Sequence, residues 1–235
     1  GLGWLEAETI KISNMNLAEQ ISKIPLMGWN KIIKQKECQI LDGLDEKEFY
    51  FLHSYNLKTK FGEDVKFRLD ANGSMDLARA IRFCKEVGRF NIDYVEQPLP
   101  KHELEDLSEL RNHTNIPIAV DESLTNCYSA EEIIETQSAD IFIIKPMVSG
   151  GFGTCKKIVE LAASEKINSV ITSSLEGPIG LSACAHFASA LSIDKVCGLS
   201  TGSFYDDTFS KPFDINNGVI QLSDLPGLGV TYDAT

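Results

Sequence analysis

Four charged residues each close an apolar run in this sequence. Asp70 follows KFRL, Glu96 follows IDYV, Asp121 follows IPIAV and Lys145 follows IFII. The steps between them are 26, 25 and 24 residues. A lone acid or lysine at a strand end is usually a cap or a solvated charge, and Asn72-Gly73 alone is turn chemistry. Recurrence at near-even steps is more specific, because that period matches one β/α unit per step. Such a repeat would bring all four side chains to one rim. Three carboxylates converging there would raise one another's pKa values. A hard cation held by oxygen ligands, Mg2+ rather than Zn2+, resolves that conflict.

A second pair of amines stands in IIKQK. Lys34 and Lys36 are two apart and so share one face of a strand. Their mutual repulsion, with a metal nearby, would lower the pKa of Lys36 and make it a usable base. Lys36 and Lys145 on either side of a metal-bound anion would form a proton-transfer site.

The elements that must position these residues alternate. Apolar, β-branched runs near 31–36, 66–71, 92–97, 116–121, 140–145, 168–173 and 196–201 read as strands, with one more in EAETIKIS near the start. Helical periodicity fills the gaps. Leu77, Ala80, Ile81 and Cys84 fall on one stripe, as do Ile158, Leu161 and Ala162. Ser129 and Glu132 have capping-box spacing, and IGLSACAHFASAL is apolar nearly all round, which predicts a well-buried helix. Alternating strands and helices imply a parallel sheet, and continuous apolar strands such as IFII imply burial on both faces. Eight such strands would close a (β/α)8-type TIM barrel with its chemistry at the C-terminal strand ends. An open doubly wound sheet has less support, since no GxGxxG stands at a first strand-to-helix turn. Lys66 and Arg68 share the Asp70 face of their strand, which predicts a buried ion pair beneath the metal.

The bulk composition sets limits. The 235 residues are 43% hydrophobic and 24% charged, ordinary for a folded globular chain. A net charge of −12 without a basic stripe argues against nucleic acid. No apolar run is long enough to span a membrane, and no signal-peptide pattern opens the chain. Cys38, Cys84, Cys127, Cys155, Cys184 and Cys197 form no CxxC pair and read as reduced thiols, which predicts a cytoplasm-like compartment. His53, His102, His113 and His186 have no metal-ligand spacing and read as structural or surface residues.

Taken together, KQK, RLDANG, YVEQPLP, AVDES, IIKP with the following GG, and ITSSLEGPIGL resemble the enolase superfamily, and within it the muconate-lactonizing subgroup. The o-succinylbenzoate synthases of menaquinone and phylloquinone synthesis resemble the chain best. The resemblance implies a (β/α)7β-like barrel over residues 1–235, with 216–235 as the segment that returns toward an α+β capping domain. That capping domain is expected to be absent from this chain, or supplied elsewhere, with weak activity in consequence. It implies Mg2+, or Mn2+ in its place, on Asp70, Glu96 and Asp121. Lys36 would remove the proton alpha to a substrate carboxylate, giving an enediolate, and Lys145 would stand opposite as a cation. Ser173, Ser174 and Gly202 match positions that hold the second, succinyl carboxylate; Lys34 and Asn72 join that substrate-binding set. The implied activity is a carbon–oxygen lyase acting on a small carboxylate in a cytoplasm or plastid stroma, with a homo-oligomer as one expected form. Dipeptide epimerases and N-acylamino acid racemases of the same subgroup are the alternative. Epimerases typically carry DxD at the eighth strand, where this chain reads GLSTGSF. A barrel kept only for binding or assembly is the third expectation. Glu37 and Cys38 depart from the small apolar residue and Gly that usually follow KxK.

Overall fold

The computed structural model describes residues 66–191, 193, 195–202, 213–216 and 218–230, the backbone of 203 and 204, and the backbone of four strands nearer the start. The chain divides into two compact units between Val65 and Lys66. In the first, β1 (Ala7–Lys11) pairs antiparallel with β4 (Tyr55–Thr59), and β2 (Leu26–Lys31) pairs antiparallel with β3 (Glu48–His53). The strand expected in EAETIKIS therefore exists, but among the described residues it does not join a parallel sheet. Of the strand expected near 31–36 only Lys31 is described, at the end of β2. EFYFLH and YNLKT, rich in β-forming residues, offer both strands antiparallel partners that a search for the β/α period passes over.

The second unit carries the predicted repeat. β5 (Phe67–Asp70), β6 (Ile92–Glu96), β7 (Ile118–Val120), β8 (Ile141–Ile144) and β9 (Asn168–Ile171) form one parallel sheet in sequential order. A parallel bridge from Thr172 to Gly198 continues the order at the next expected strand. Helices α1 (Leu77–Val87), α2 (Leu104–Asn112), α3 (Cys127–Glu135) and α4 (Phe152–Ser164) connect successive strands, and α5 (Pro178–Ala190) follows β9. Order that never reverses is barrel winding; a doubly wound sheet needs a switch point.

Alternation explains why IFII is continuously apolar. Phe142 and Ile144 join the core between sheet and helices, with Val95, Ile118, Val120 and Ile171. Ile141 and Ile143 face the other way, into a second cluster with Tyr94, Ala119 and Val170. At β7 and β8 both faces of the sheet are dry, so neither parity of those strands can be polar. The expected stripes face the core in part: Ala80 and Cys84 are buried on α1 with Val87, and Ile158 and Ala162 on α4 with Cys155, while Leu77, Ile81 and Leu161 are half-buried. Helix α5 buries Leu181, Cys184, Ala185 and Ala188 but leaves Ile179 exposed, so its burial is one-sided despite its apolar composition.

The capping of α3 differs from expectation. The helix begins one turn earlier, and Asn126 rather than Ser129 is its N-cap. The Ser129 amide donates to Asn126 Oδ1 at 3.0 Å, and Ser129 Oγ accepts from the Asn126 amide at 3.1 Å. Ser129 thus takes the place that Glu fills in the usual box. Asn126→Ala is expected to cost about 1 kcal/mol, read as a lower urea midpoint with unchanged slope.

Cys84, Cys127, Cys155, Cys184 and Cys197 are free thiols, as expected; Cys38 lies outside the described residues. Burial pushes Cys84 and Cys155 up to about 11, which keeps both protonated and inert. Among the described residues no helix is long and apolar enough to cross a membrane.

Candidate active site

The first four strands of the parallel sheet, β5 to β8, deliver their charges where the sequence places them. Asp70 and Glu96 are the last residues of β5 and β6, and their Cα atoms are register partners. Asp121 and Lys145 come directly after β7 and β8. The four therefore lie along one C-terminal edge.

Local backbone chemistry holds Asp70. Asn72 and Gly73 both have positive φ, 46° and 65°, and form the tight turn that Asn-Gly favours. The Asn72 amide donates to Asp70 Oδ1 at 2.9 Å. Asn72, assigned to substrate from the sequence, is an exposed turn residue whose backbone orients an acid.

The electrostatics are those of crowded acids. Burial, then the charges of Asp70 and Asp121, push the Glu96 carboxyl up to about 8. The packed protein around the Asp70 carboxyl, together with the Asp121 charge, raises its pKa despite the Asn72 hydrogen bond; the residue as a whole keeps solvent access. Lys145 Nζ donates to Asp121 Oδ2. Burial alone would lower the Lys145 pKa, but Asp121, with Glu96 and Glu122 behind it, raises it, so the ammonium stays charged.

Among the described residues, no group of three or more His, Cys, Asp or Glu side chains is placed to hold a metal ion, and Asp121 is turned onto Lys145. The donor set still suits a hard divalent cation. It is all carboxylate oxygen on neighbouring strand ends, and two of its three members are driven toward protonation by burial and mutual charge.

At the end of β9, the Ser173 amide donates to Gly198 O at 3.0 Å, and its hydroxyl lies 2.7 Å from Thr201 Oγ1. The Ser174 amide donates to Glu176 Oε2 at 2.6 Å. Gly202 is half-buried, and a Cβ there would meet Leu181 Cδ2 at 3.2 Å, so packing against α5 asks for a small residue. Lys34 and Lys36 lie outside the described residues.

An ion pair is found at Arg68, with Asp93 as its partner. Arg68 Nε donates to Asp93 Oδ2 at 2.8 Å, and the guanidinium lies 4.9 Å from the Tyr94 ring centre. Arg68 is the register partner of Tyr94, one inward-facing position below Asp70 and Glu96. The pair is half-buried rather than buried, and Lys66 is exposed.

Three residues carry more than the sequence reading assigned them. Glu122 follows Asp121, and its Oε2 is buried without a hydrogen-bond partner. Glu176 is buried, with Oε1 likewise unpartnered. Gln97, next to Glu96, is fully buried, and its side chain is hydrogen-bonded to three neighbours, Leu99, Asp121 and Ser123. An acid beside a strand-end acid, and a glutamine inside an apolar stretch, were the available signals.

A sheet wound in one direction, with acids and an amine at successive carboxyl ends, defines a barrel-type α/β domain whose chemistry sits on that rim. Residues 55–235 match the enolase C-terminal domain-like family, and the chain belongs to it. It is 33% identical over 182 residues to an L-amino acid-D/L-Glu epimerase of Francisella philomiragia, covering 74% of this chain and 49% of that protein. It is 27% identical over 190 residues to an o-succinylbenzoate synthase of Desulfotalea psychrophila, covering 80% and 48%. The structure superimposes on a substrate-liganded L-Ala-D/L-Glu epimerase from Bacillus subtilis with a TM-score of 0.69 and 30% identity, over 74% of this chain and 49% of that one. The chain spans about half the length of these relatives.

Proposed function

We propose that this chain carries the proton-abstraction site of an enolase-superfamily enzyme acting on a small carboxylate, and that the reaction is an o-succinylbenzoate synthase-like dehydration. The observation that carries the first part is the row of Asp70, Glu96 and Asp121 on adjacent strand ends, with Lys145 held charged against Asp121. In this reading the three acids hold Mg2+, or Mn2+ in its place. Bound there, the cation offsets the negative charge that a substrate carboxylate gains as its alpha proton leaves. Lys145 keeps its proton and faces the substrate as a cation, a role for which a raised pKa suits it and a base role does not. Lys36 takes the proton, with Lys34 beside it. Ser173 and Ser174 would offer their hydroxyls to a second carboxylate, since their amides are already bonded to Gly198 O and Glu176 Oε2.

The choice of dehydration rests on residues 198–204, GLSTGSF. A dipeptide brings an ammonium group that wants a carboxylate, and this stretch contains none. Epimerisation is the second reading, favoured by the 33% identity to an epimerase.

One experiment separates them. Incubate the protein with Mg2+ and the cyclohexadiene carboxylate precursor, and follow the absorbance of the aromatic product. In parallel, incubate it with L-Ala-L-Glu and N-acylamino acids in D2O, and follow deuterium entry at the alpha carbon. Aromatic product without wash-in is the expected result. Wash-in alone replaces dehydration by epimerisation. Neither signal, with no Mg2+ uptake by calorimetry, leaves a non-catalytic binding module.

A further inference from the structure

We propose that Gln97 is a positioning residue that fixes the relative placement of Asp70, Glu96 and Asp121, and through it their affinity for a divalent cation. This rests on the reading of those acids as a metal site. Gln97 is 0% exposed and lies between the loops that follow three strands. Its backbone amide donates to Ala119 O at 2.8 Å, two residues before Asp121. Its carbonyl accepts from the Gly73 amide at 2.7 Å, in the turn that orients Asp70. Its side-chain oxygen accepts from the Asp121 amide at 3.0 Å and the Ser123 amide at 3.2 Å. Its side-chain nitrogen donates to Leu99 O and Ser123 Oγ, both at 2.9 Å. Ser123 in turn donates its hydroxyl proton to Lys101 O at 3.0 Å.

Two backbone N–H groups can only donate, so they fix which end of the amide faces Asp121. Only a side chain with an acceptor and a two-proton donor at one tip completes this set. An ionised glutamate cannot donate, and methionine offers only a weak sulfur acceptor and no donor. The backbone φ is +35°, a conformation that L residues enter only when the surroundings impose it. A buried residue in a strained conformation, whose side-chain amide ties its own loop to the loop after β7 and whose backbone carbonyl holds the turn after β5, is more than packing requires. Hydrogen bonds behind a metal ligand orient it, and their loss typically costs about 10–100-fold in metal affinity.

Gln97→Gly and Gln97→Met test the inference in the whole chain. Glycine suits the positive φ and removes only the side chain, so it guards against misfolding of the methionine variant. Two quantities are read: Mn2+ affinity by electron paramagnetic resonance, and amide hydrogen exchange by NMR without metal. The expected result is about tenfold or more weaker Mn2+ binding. The Asp121 and Ser123 amides are expected to exchange at least about tenfold faster, while amides of α4 keep the wild-type rate. Asp121 and Ser123 amides within about twofold of wild type in a folded variant overturn the clamp. Faster exchange with unchanged Mn2+ affinity overturns its link to the acids. Wild-type protein that takes up no Mn2+ rejects the metal-site reading and the affinity half of the proposal; the exchange data still decide whether Gln97 holds the loops. Should neither variant fold, Ser123→Ala, which removes one branch, is expected to weaken Mn2+ binding about twofold or more; unchanged binding there overturns the proposal.

Discussion

Lys145→Met is expected to lower kcat by about 10³-fold or more while the parallel sheet stays folded. Lys145 lies just past β8, and its aliphatic stem is a close match in length for methionine, so the change removes charge with little change in volume. The lost ammonium has two jobs. It is the hydrogen-bond partner of the Asp121 carboxylate, whose side chain is only 8% exposed. It is also the proposed cation that faces the substrate. The loss should fall equally on kcat and kcat/KM, because the interaction matters most once charge has developed on the substrate. Without metal the variant should melt below wild type, since Asp121 is left buried without its ammonium. Added Mg2+ should close that gap, by supplying the missing positive charge. A folded variant with kcat within about threefold of wild type would remove Lys145 from the chemistry. Lys36→Ala should abolish turnover as well, but without that Mg2+-reversible loss of stability.

The stability of the metal-free protein should fall as pH rises from about 4.5 toward about 8 and should level off beyond it. The Glu96 carboxyl has an ordinary value near 4.5 in the unfolded chain and is pushed to about 8 in the fold. A raised carboxyl pKa means that the folded state binds the proton more tightly. Its contribution is fully present below the unfolded value and is lost as pH passes through the folded one. Asp70, also raised, acts in the same direction. A divalent cation reverses the preference, because it binds the deprotonated acids of the folded state alone. Urea midpoints measured across this range in EDTA should therefore slope downward, and saturating Mg2+ should flatten or invert the slope. Glu96→Gln should flatten the EDTA curve and abolish the Mg2+ effect. A flat curve for the wild-type protein in EDTA would mean that the acids are not crowded, and the reason for a metal there would disappear.

Much of the site was legible because its signals are local. A strand that ends on a charge after an apolar run needs only its own residues to be recognised, and four such strands at even steps announce the winding. Asp70, Glu96, Asp121 and Lys145 all stand on the predicted edge. The misses are of another kind. Ser129 looked like an N-cap because Glu132 stands three residues on; the backbone chose Asn126, one turn earlier, whose side chain satisfies the same free amides. The ion pair expected to be buried at Arg68 forms with Asp93 but is only half-buried. The antiparallel pairings of β1 and β2 were invisible to a search for parallel β/α units.

The amino-acid sequence alone determined the alternation of strand and helix, the apolar character of both sheet faces and the identity of the charged rim, because each follows from short-range pattern. Only the tertiary structure decided what those charges meet. That Gln97 reaches Asp121, that Lys145 turns to Asp121 and that Ser173 meets Thr201 depends on strand register between residues 24 to 28 apart. Register comes from packing both faces of the sheet at once, a property that no single segment contains.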